Sequence, residues 1–187
     1  MNKKILTSFV VAIAMLTSPL TFAHSKSKPV STQLEDVGYV LGAGDTIKIS
    51  VFKEDDLSLT VKLHKGGKVN FPYIGVITCA GRTPADVEKE IRAKLKDGFL
   101  RNPMVTVSIE KFRDIYVGGE VNKPGAYEFE PGMTVEKSIV LSGGITDRGD
   151  ESDINLRVSA TGELLESVDL SYQVQPGDVV LIEKSFF

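Results

Sequence analysis

Short runs in which apolar and polar residues alternate constrain the fold of this chain more than any other feature of its sequence. TIKISVF (residues 46–52) and MVTVSIEKF (residues 104–112) each place three apolar side chains on one face. Such a period of two is the pattern of a half-buried β-strand. Glycine and proline separate these runs at short intervals, as they do in turns between strands. We therefore predict a β-rich fold from residue 39 onward.

The first 23 residues have a different character. Lys3 and Lys4 precede the apolar stretch ILTSFVVAIAML, and small residues surround a cleavage position after Ala23. This order predicts a secretory signal peptide over residues 1–23. The apolar stretch is shorter than the ~20 residues of a membrane-spanning helix. Residues 24–38 are polar without periodicity, and we predict a flexible leader there.

The charge balance limits the classes of partner. The full chain has a net charge of −3 at pH 7, and loss of two lysines with the signal peptide changes it to −5. Nucleic-acid phosphates require a basic face, so we predict no nucleic-acid partner. The single cysteine, Cys79, cannot form an internal disulfide. Its apolar surroundings, IGVITCA, predict a small core residue.

TPADVEKEIRAKLKDG (residues 83–98) carries the clearest helix pattern. Thr83 is in the N-cap position, Pro84 is in the first helical position, and Gly98 follows the last turn. Apolar residues recur four apart at Val87, Ile91 and Leu95. This stripe is predicted to lie on the sheet formed by the flanking strands.

The order of patterns predicts the α+β class, with two small β-rich modules that each carry a packed helix. In the first module, residues 39–112, we predict a hairpin that turns at Lys65-Gly66-Gly67. In the second, residues 113–187, two strands precede a short helix capped by Thr134, and a hairpin and a strand follow. Modules under ~80 residues bury modest cores, so contact with partners or further copies is expected.

A Gly-Asp pair precedes both the first strand, at Gly44-Asp45, and the last, at Gly177-Asp178. Glycine permits the positive φ of a tight turn, and aspartate accepts hydrogen bonds from backbone amides. A phosphate loop would instead open a helix or carry a lysine and a hydroxyl residue. We therefore predict a structural role for a set of scaffold residues, namely Gly42, Gly44, Asp45, Gly125, Gly143, Gly144, Gly177 and Asp178.

No pattern in the sequence predicts catalysis, a metal site or a cofactor, and we predict a protein that is not an enzyme. His64 lies among lysines, and no GxSxG motif is present. Glu54-Asp55-Asp56 is predicted to be a solvated loop, because neighbours in sequence do not supply two carboxylates across a sugar cleft. The acidic residues of segment 147–153 do not follow EF-hand spacing, so a polar turn is favoured over a calcium site.

The motifs, taken in order, also resemble a known family. YVLGAGDTIKISVF, FPYIGVI, GRTPADVEKEI and NPMVTVSI resemble the polysaccharide export domain of the Wza-like outer-membrane polysaccharide export family. IYVGGEVNKPGAYEFEPGMTVEKSIVLSGGIT and the later VQPGDVVLI resemble the soluble-ligand-binding β-grasp (SLBB) domain that follows it. The resemblance implies that the second module is β-grasp-like. It covers nearly all of the chain after residue 38.

The resemblance further implies a periplasmic protein, associated with the outer membrane, that forms a homo-oligomeric ring and conducts capsular polysaccharide or exopolysaccharide. Its implied partners are the polysaccharide, an outer-membrane β-barrel protein and an inner-membrane polysaccharide co-polymerase. Larger members repeat the β-grasp module and end in a membrane-crossing helix, whereas this sequence shows one such module and resembles the short form. The alternatives are a monomeric periplasmic glycan-binding adaptor and a periplasmic carbohydrate hydrolase.

Overall fold

The alternating segments of the first half form strands in the computed structural model, which describes residues 38–185. The predicted signal peptide and all but the last residue of the predicted leader lie outside the described residues. The elements of this half are β1 (Thr46–Val51), a 3₁₀ turn (Asp55–Leu57), β2 (Leu59–Lys62), β3 (Lys68–Phe71), β4 (Gly75–Thr78), α1 (Pro84–Lys96) and β5 (Val105–Lys111). Strand β1 lies between β2 and β5 and is antiparallel to both.

The predicted hairpin at Lys65-Gly66-Gly67 is wrong. Strand β2 pairs with β1, whereas β3 pairs with β4, so the strands on either side of these glycines belong to different sheets. The Leu63 amide donates to the Asp45 carbonyl at 2.7 Å, which keeps the chain beside β1 beyond the end of β2. The hairpin instead turns between β3 and β4, where Tyr73 has a φ of 61° and Gly75 a φ of 75°.

Helix α1 confirms the prediction made from its capping residues and apolar stripe. The Asp86 amide donates to Thr83 Oγ1 at 3.2 Å, and Pro84 opens the helix. Val87, Ile91 and Leu95 are fully buried. The helix contacts β5 and β4, and its stripe completes a core that includes residues from Leu41 to Val107.

The second half contains a five-stranded sheet in the order β7-β6-β10-β8-β9. Its elements are β6 (Ile115–Gly119), β7 (Gly125–Tyr127), α2 (Val135–Leu141), β8 (Gly149–Arg157), β9 (Leu164–Leu165) and β10 (Val179–Lys184). The last strand is parallel to β6 and antiparallel to β8, which gives the central parallel pair of a β-grasp-like sheet. The Lys137 amide donates to Thr134 Oγ1 at the start of α2, as the sequence predicted. The predicted α+β class is confirmed.

Two separate hydrophobic clusters lie within the described residues. The first includes residues from Leu41 to Val107, and the second includes residues from Ile115 to Ile182. The domain limits 39–112 and 113–187 stay a prediction, although each cluster lies within one of them. Over residues 38–185, none of the helices combines the length and the apolar character needed to cross a membrane.

Candidate functional site: an arginine joint between the two modules

The first Gly-Asp pair forms a tight turn around a buried carboxylate. Asp45 is fully buried, and its Oδ2 accepts a hydrogen bond from the Gly42 amide at 2.7 Å. Gly44 has a φ of 100°, and its amide donates to the Leu63 carbonyl at 2.7 Å. The positive φ of Gly44 thus lets the chain turn sharply into β1 while the aspartate side chain folds back onto the turn.

The second Gly-Asp pair forms the same turn before β10. Asp178 is buried, and its Oδ2 accepts from the amide of Gln175, three residues earlier, at 2.8 Å. Its Oδ1 accepts from the Ser159 amide at 2.8 Å, and Gly177 has a φ of 89°. In both turns the aspartate carboxylate therefore accepts from the amide three residues before it. The repeated motif has a repeated structural function.

Arg113 connects the two turns. Its backbone amide donates to Asp45 Oδ1 at 2.9 Å, and its Nη1 lies 3.3 Å from Asp45 Oδ2. Its Nε donates to the Pro176 carbonyl in the second turn at 2.9 Å. The ion pair joins a fully buried carboxylate to a guanidinium whose side chain is 21% exposed. We call these residues the arginine joint: Tyr39, Gly42, Gly44, Asp45, Arg113, Pro176 and Gly177.

Three of the predicted scaffold glycines leave room for Arg113. A Cβ atom at Gly42 would collide with the guanidinium, and one at Gly44 would lie 2.9 Å from the Arg113 Cβ. A Cβ at Gly177 would lie 2.8 Å from the Arg113 Nε. Atoms closer than 3.0 Å in this way must move, so glycine is required here by close approach as well as by backbone conformation.

Tyr39 completes the polar part of the joint. Its hydroxyl lies 2.9 Å from both Asp45 carboxylate oxygens, and Arg113 Nη1 donates to it at 3.2 Å. Burial, followed by the negative charge of Asp45, raises the pKa of the Tyr39 hydroxyl well above its usual range. The hydroxyl therefore stays protonated and remains a hydrogen-bond donor to the carboxylate.

Aromatic packing extends the joint from one module into the other. The Tyr39 and Phe112 rings meet edge to face with centroids 5.1 Å apart, and Phe112 meets Phe129 in the same manner at 5.4 Å. Edge-to-face pairs at these distances are favourable contacts. The polar links of Arg113 and this row of rings together hold the two modules in one relative orientation.

The other predicted scaffold residues lie outside the joint. Gly143 and Gly144 have φ values of 81° and 85° and end α2, where their carbonyls accept from Asn122 Nδ2. Gly125 begins β7 without a positive φ, and a Cβ there would meet nothing within 4 Å. The structure therefore brings together Gly42, Gly44, Asp45 and Gly177 around Arg113, and Asp178 stabilises the second turn beside them. The remaining three lie apart.

Beside Arg113, a cleft of about 850 Å³ lies between the modules. Phe112 and Phe129 are among its walls. Four uncharged polar side chains also line it and make no side-chain hydrogen bond within residues 38–185, namely Thr106, Ser108, Gln173 and Gln175. Its volume falls in the range of small-molecule sites. The charged side chains of Glu88, Arg113 and Asp178 line it as well. Such donors and acceptors beside aromatic rings can hold a polar ligand.

Several groups that could carry chemistry lie away from the cleft or are already engaged. Burial raises the pKa of the Cys79 thiol to about 11, which keeps it in the unreactive protonated form near neutral pH. Asp150 accepts from the amide and hydroxyl of Ser152, within the acidic segment. Among the described residues, three or more possible metal ligands do not come together anywhere.

The sequence analysis did not identify Arg113. It follows a predicted strand as an ordinary charged residue, and its partners Asp45 and Pro176 are 68 and 63 positions away. The only sign of this contact in the sequence was the pair of similar Gly-Asp turns. Because glycine has no side chain, two such turns can leave room for one large side chain between them.

Two family models match successive parts of the chain. A family model described as polysaccharide biosynthesis/export protein matches residues 34–110, and a model of the SLBB domain matches residues 115–168. The border between these two matches contains Arg113. Arg113 therefore lies in the short segment between the two matched regions.

Individual proteins that are similar to this chain have names that refer to polysaccharide production, export or transport. The exopolysaccharide production protein ExoF of Rhizobium meliloti (strain 1021) is 33% identical over 101 residues, 52% of this chain and 24% of its own. The EPS I polysaccharide export outer membrane protein EpsA of Ralstonia solanacearum is 29% identical over 171 residues, 76% of this chain and 45% of its own. The polysialic acid transport protein KpsD of Escherichia coli is 24% identical over 119 residues, 62% of this chain and 21% of its own.

The chain thus spans less than half the length of each of these relatives. The two family matches nevertheless follow one another in order and cover most of the residues that the structure describes. The chain belongs to the polysaccharide export family, with a polysaccharide export domain followed by an SLBB domain.

Proposed function

We propose that this protein is a non-enzymatic component of a machine that exports capsular polysaccharide or exopolysaccharide. It acts in the periplasm, in association with the outer membrane, after cleavage of the signal peptide. It assembles into a homo-oligomeric ring that conducts the polysaccharide toward an outer-membrane β-barrel partner. An inner-membrane polysaccharide co-polymerase is the expected partner on the opposite side.

The arginine joint is the observation that carries this proposal. A ring built from two-module subunits keeps a continuous passage only if both modules hold the same relative orientation in every copy. Arg113 provides that constraint, because it bonds the buried Asp45 of the first module and the Pro176 carbonyl of the second. The names of the relatives, which refer to polysaccharide export, production and transport, support the same function.

A complementation experiment tests the proposal. In a strain that lacks the gene, we expect loss of surface polysaccharide and recovery when the wild-type chain is supplied. Arg113→Ala should restore export poorly. The control is Arg157→Ala, which should restore export, because Arg157 is an exposed arginine of the same module and makes no ion pair in the described part of the chain. Periplasmic levels of each variant must be measured alongside. Normal surface polysaccharide in the deletion strain would refute the proposal.

The inter-module cleft favours one alternative, a monomeric periplasmic glycan-binding adaptor. Its four neutral polar side chains, which have no side-chain hydrogen bond within residues 38–185, are suited to hydroxyl groups of a saccharide. NMR titration of the exported chain with neutral oligosaccharides, with Gln173→Ala/Gln175→Ala for comparison, would detect such binding. Sedimentation separates the two functions, because the adaptor stays monomeric at every concentration and the conduit does not.

The absence of catalysis is also part of the proposal and can be tested directly. Incubation of the exported chain with the polysaccharide of its own cell should release no new reducing ends. Release of oligosaccharides by the wild-type chain, lost on substitution of a single polar side chain, would instead identify a hydrolase.

A further inference from the structure

The two modules carry opposite net charges. Residues 38–112 contain 12 lysines and arginines against 9 acidic residues, a net charge of +3. Residues 113–185 contain 6 lysines and arginines against 14 acidic residues, a net charge of −8. Arg113 connects these modules, so each copy has a basic module and an acidic module. Opposite potentials on one chain favour association of unlike modules from different copies.

An apolar groove with an acidic rim lies on the acidic module between β7 and α2. Its volume is about 640 Å³, and Tyr127 and Met133 contribute to its lining. At its edge, Val140 is 69% exposed and Leu141 is 50% exposed. Apolar side chains that are exposed side by side are a common mark of an interaction surface.

The acidic rim is not neutralised within the chain. Glu130 and Glu136 line the groove and have no ion-pair partner among residues 38–185. Glu128 is 3.4 Å from Lys111, and Lys137 donates to the Gly132 carbonyl at 3.1 Å. The groove, which we call the acidic groove, thus presents two free carboxylates beside exposed apolar side chains.

A complementary surface lies on the basic module. Lys48 of β1 and Lys62 of β2 are exposed, and the strand register places Lys48 opposite Thr60 and Lys62 opposite Thr46. The two lysines are therefore diagonal neighbours on one face of the sheet. Neither makes an ion pair within the described part of the chain. We call this surface the basic strand face.

We propose that the acidic groove of one copy binds the basic strand face of a second copy. The inference rests on the proposed ring and names the surfaces that would build it. The two surfaces are different patches of the same chain, so the contact is heterologous. A pair of copies joined in this way still has one unoccupied acidic groove and one unoccupied basic strand face. Repetition of the contact adds further copies and closes into a ring when the rotation between copies permits.

Charge reversal tests the contact on the exported chain, residues 24–187. Sedimentation velocity should detect assemblies larger than a monomer, with weaker association as NaCl rises from about 0.05 M to about 0.5 M. Glu130→Lys/Glu136→Lys should weaken self-association about tenfold or more, because like charges would then meet across the contact. Lys48→Glu/Lys62→Glu should weaken it similarly.

A matched control separates the groove from net charge. Glu163→Lys/Glu166→Lys makes the same change in total charge on the same module, outside the groove, and should leave association close to wild type. Mixing the groove-reversed and strand-face-reversed chains should restore assembly, because each reversed patch then meets a patch of opposite sign. Circular dichroism of every variant confirms that it is folded.

Any of three results would overturn the proposal. The wild-type chain could stay monomeric at all concentrations, the groove and control variants could lose self-association equally, or mixing the two reversed chains could fail to restore assembly. Export is measured separately in the deletion strain. If the wild-type chain restores export and self-associates, but the variants or the mixture give the wrong result, only the contact is wrong. If the wild-type chain restores export but stays monomeric at all concentrations, the ring of the proposed function is wrong as well. If the contact is present but the deletion strain exports normally, the proposed function is wrong.

Discussion

The turn at Asp45 and the turn at Asp178 share one local geometry but differ in what their carboxylates bind. Within residues 38–185, the Asp178 carboxylate accepts only backbone amides, from Gln175 and Ser159. Asp45 accepts a backbone amide of its own turn and also binds the Arg113 main chain, the Arg113 guanidinium and the Tyr39 hydroxyl. The difference teaches that a Gly-Asp turn fixes the start of a strand wherever it occurs. Both turns contact Arg113, but only in the first does the aspartate carboxylate itself bind it.

The largest expected effect separates the two aspartates. Asp45→Ala leaves the Arg113 guanidinium without its buried partner and should lower the free energy of unfolding by about 3 to 5 kcal/mol. Asp178→Ala leaves two amides without acceptors and should cost about 1 to 3 kcal/mol. Urea denaturation followed by circular dichroism measures both. Equal losses would mean that the Arg113 connection adds no stability beyond that of the turn.

The next comparison uses two of the scaffold glycines. Gly44→Ala introduces a side chain at a φ of 100°, 2.9 Å from the Arg113 Cβ, and should destabilise the chain by about 1 to 3 kcal/mol. Gly125→Ala should be nearly neutral, because its φ is not positive and its surroundings are open. Thermal denaturation of both variants measures the two losses in stability. A comparable loss at Gly125 would contradict the view that only some scaffold glycines are required by the joint.

Substitution of Arg113 by lysine tests the link to the second turn alone. Arg113→Lys keeps a positive charge near Asp45 but loses the Nε hydrogen bond to the Pro176 carbonyl. We expect a loss of about 1 to 2 kcal/mol in the free energy of unfolding. The change should also raise hydrogen exchange in the residues around Pro176 while β1 stays protected. Unchanged exchange there would show that the second turn is stable without Arg113.

The smallest expected effect is a pH dependence at Tyr39. Its pKa is raised in the folded chain, so the protonated hydroxyl contributes stability that is fully present below the unfolded pKa of about 10 and is lost at higher pH. Tyr39→Phe should cost about 1 kcal/mol at pH 7 and flatten the decline in stability above about pH 10. Denaturation curves at several pH values compare the two chains. An identical decline in both would exclude Tyr39 as its source.

The sequence predicts those parts of the fold that depend on neighbouring residues. The cap at Thr83, the apolar stripe of α1 and the two turns were predicted, because each depends on residues within one element. The hairpin at Gly66-Gly67 was wrong because two adjacent strands pair with different partners, and pairing is a long-range choice. The turns of the joint were predicted, but their meeting at Arg113 was not, since a charged side chain gives no local sign of contacts more than 60 positions away.

The burial of Cys79 has a practical consequence for studying the assembly. It is the single cysteine of the chain, it is fully enclosed, and its thiol stays protonated near neutral pH. A thiol-directed dye would therefore label a cysteine introduced at an exposed position, such as Val140 or Lys48, and would react little with Cys79. The native cysteine would not need to be replaced. Pairs of such labels would report distances between subunits by fluorescence energy transfer.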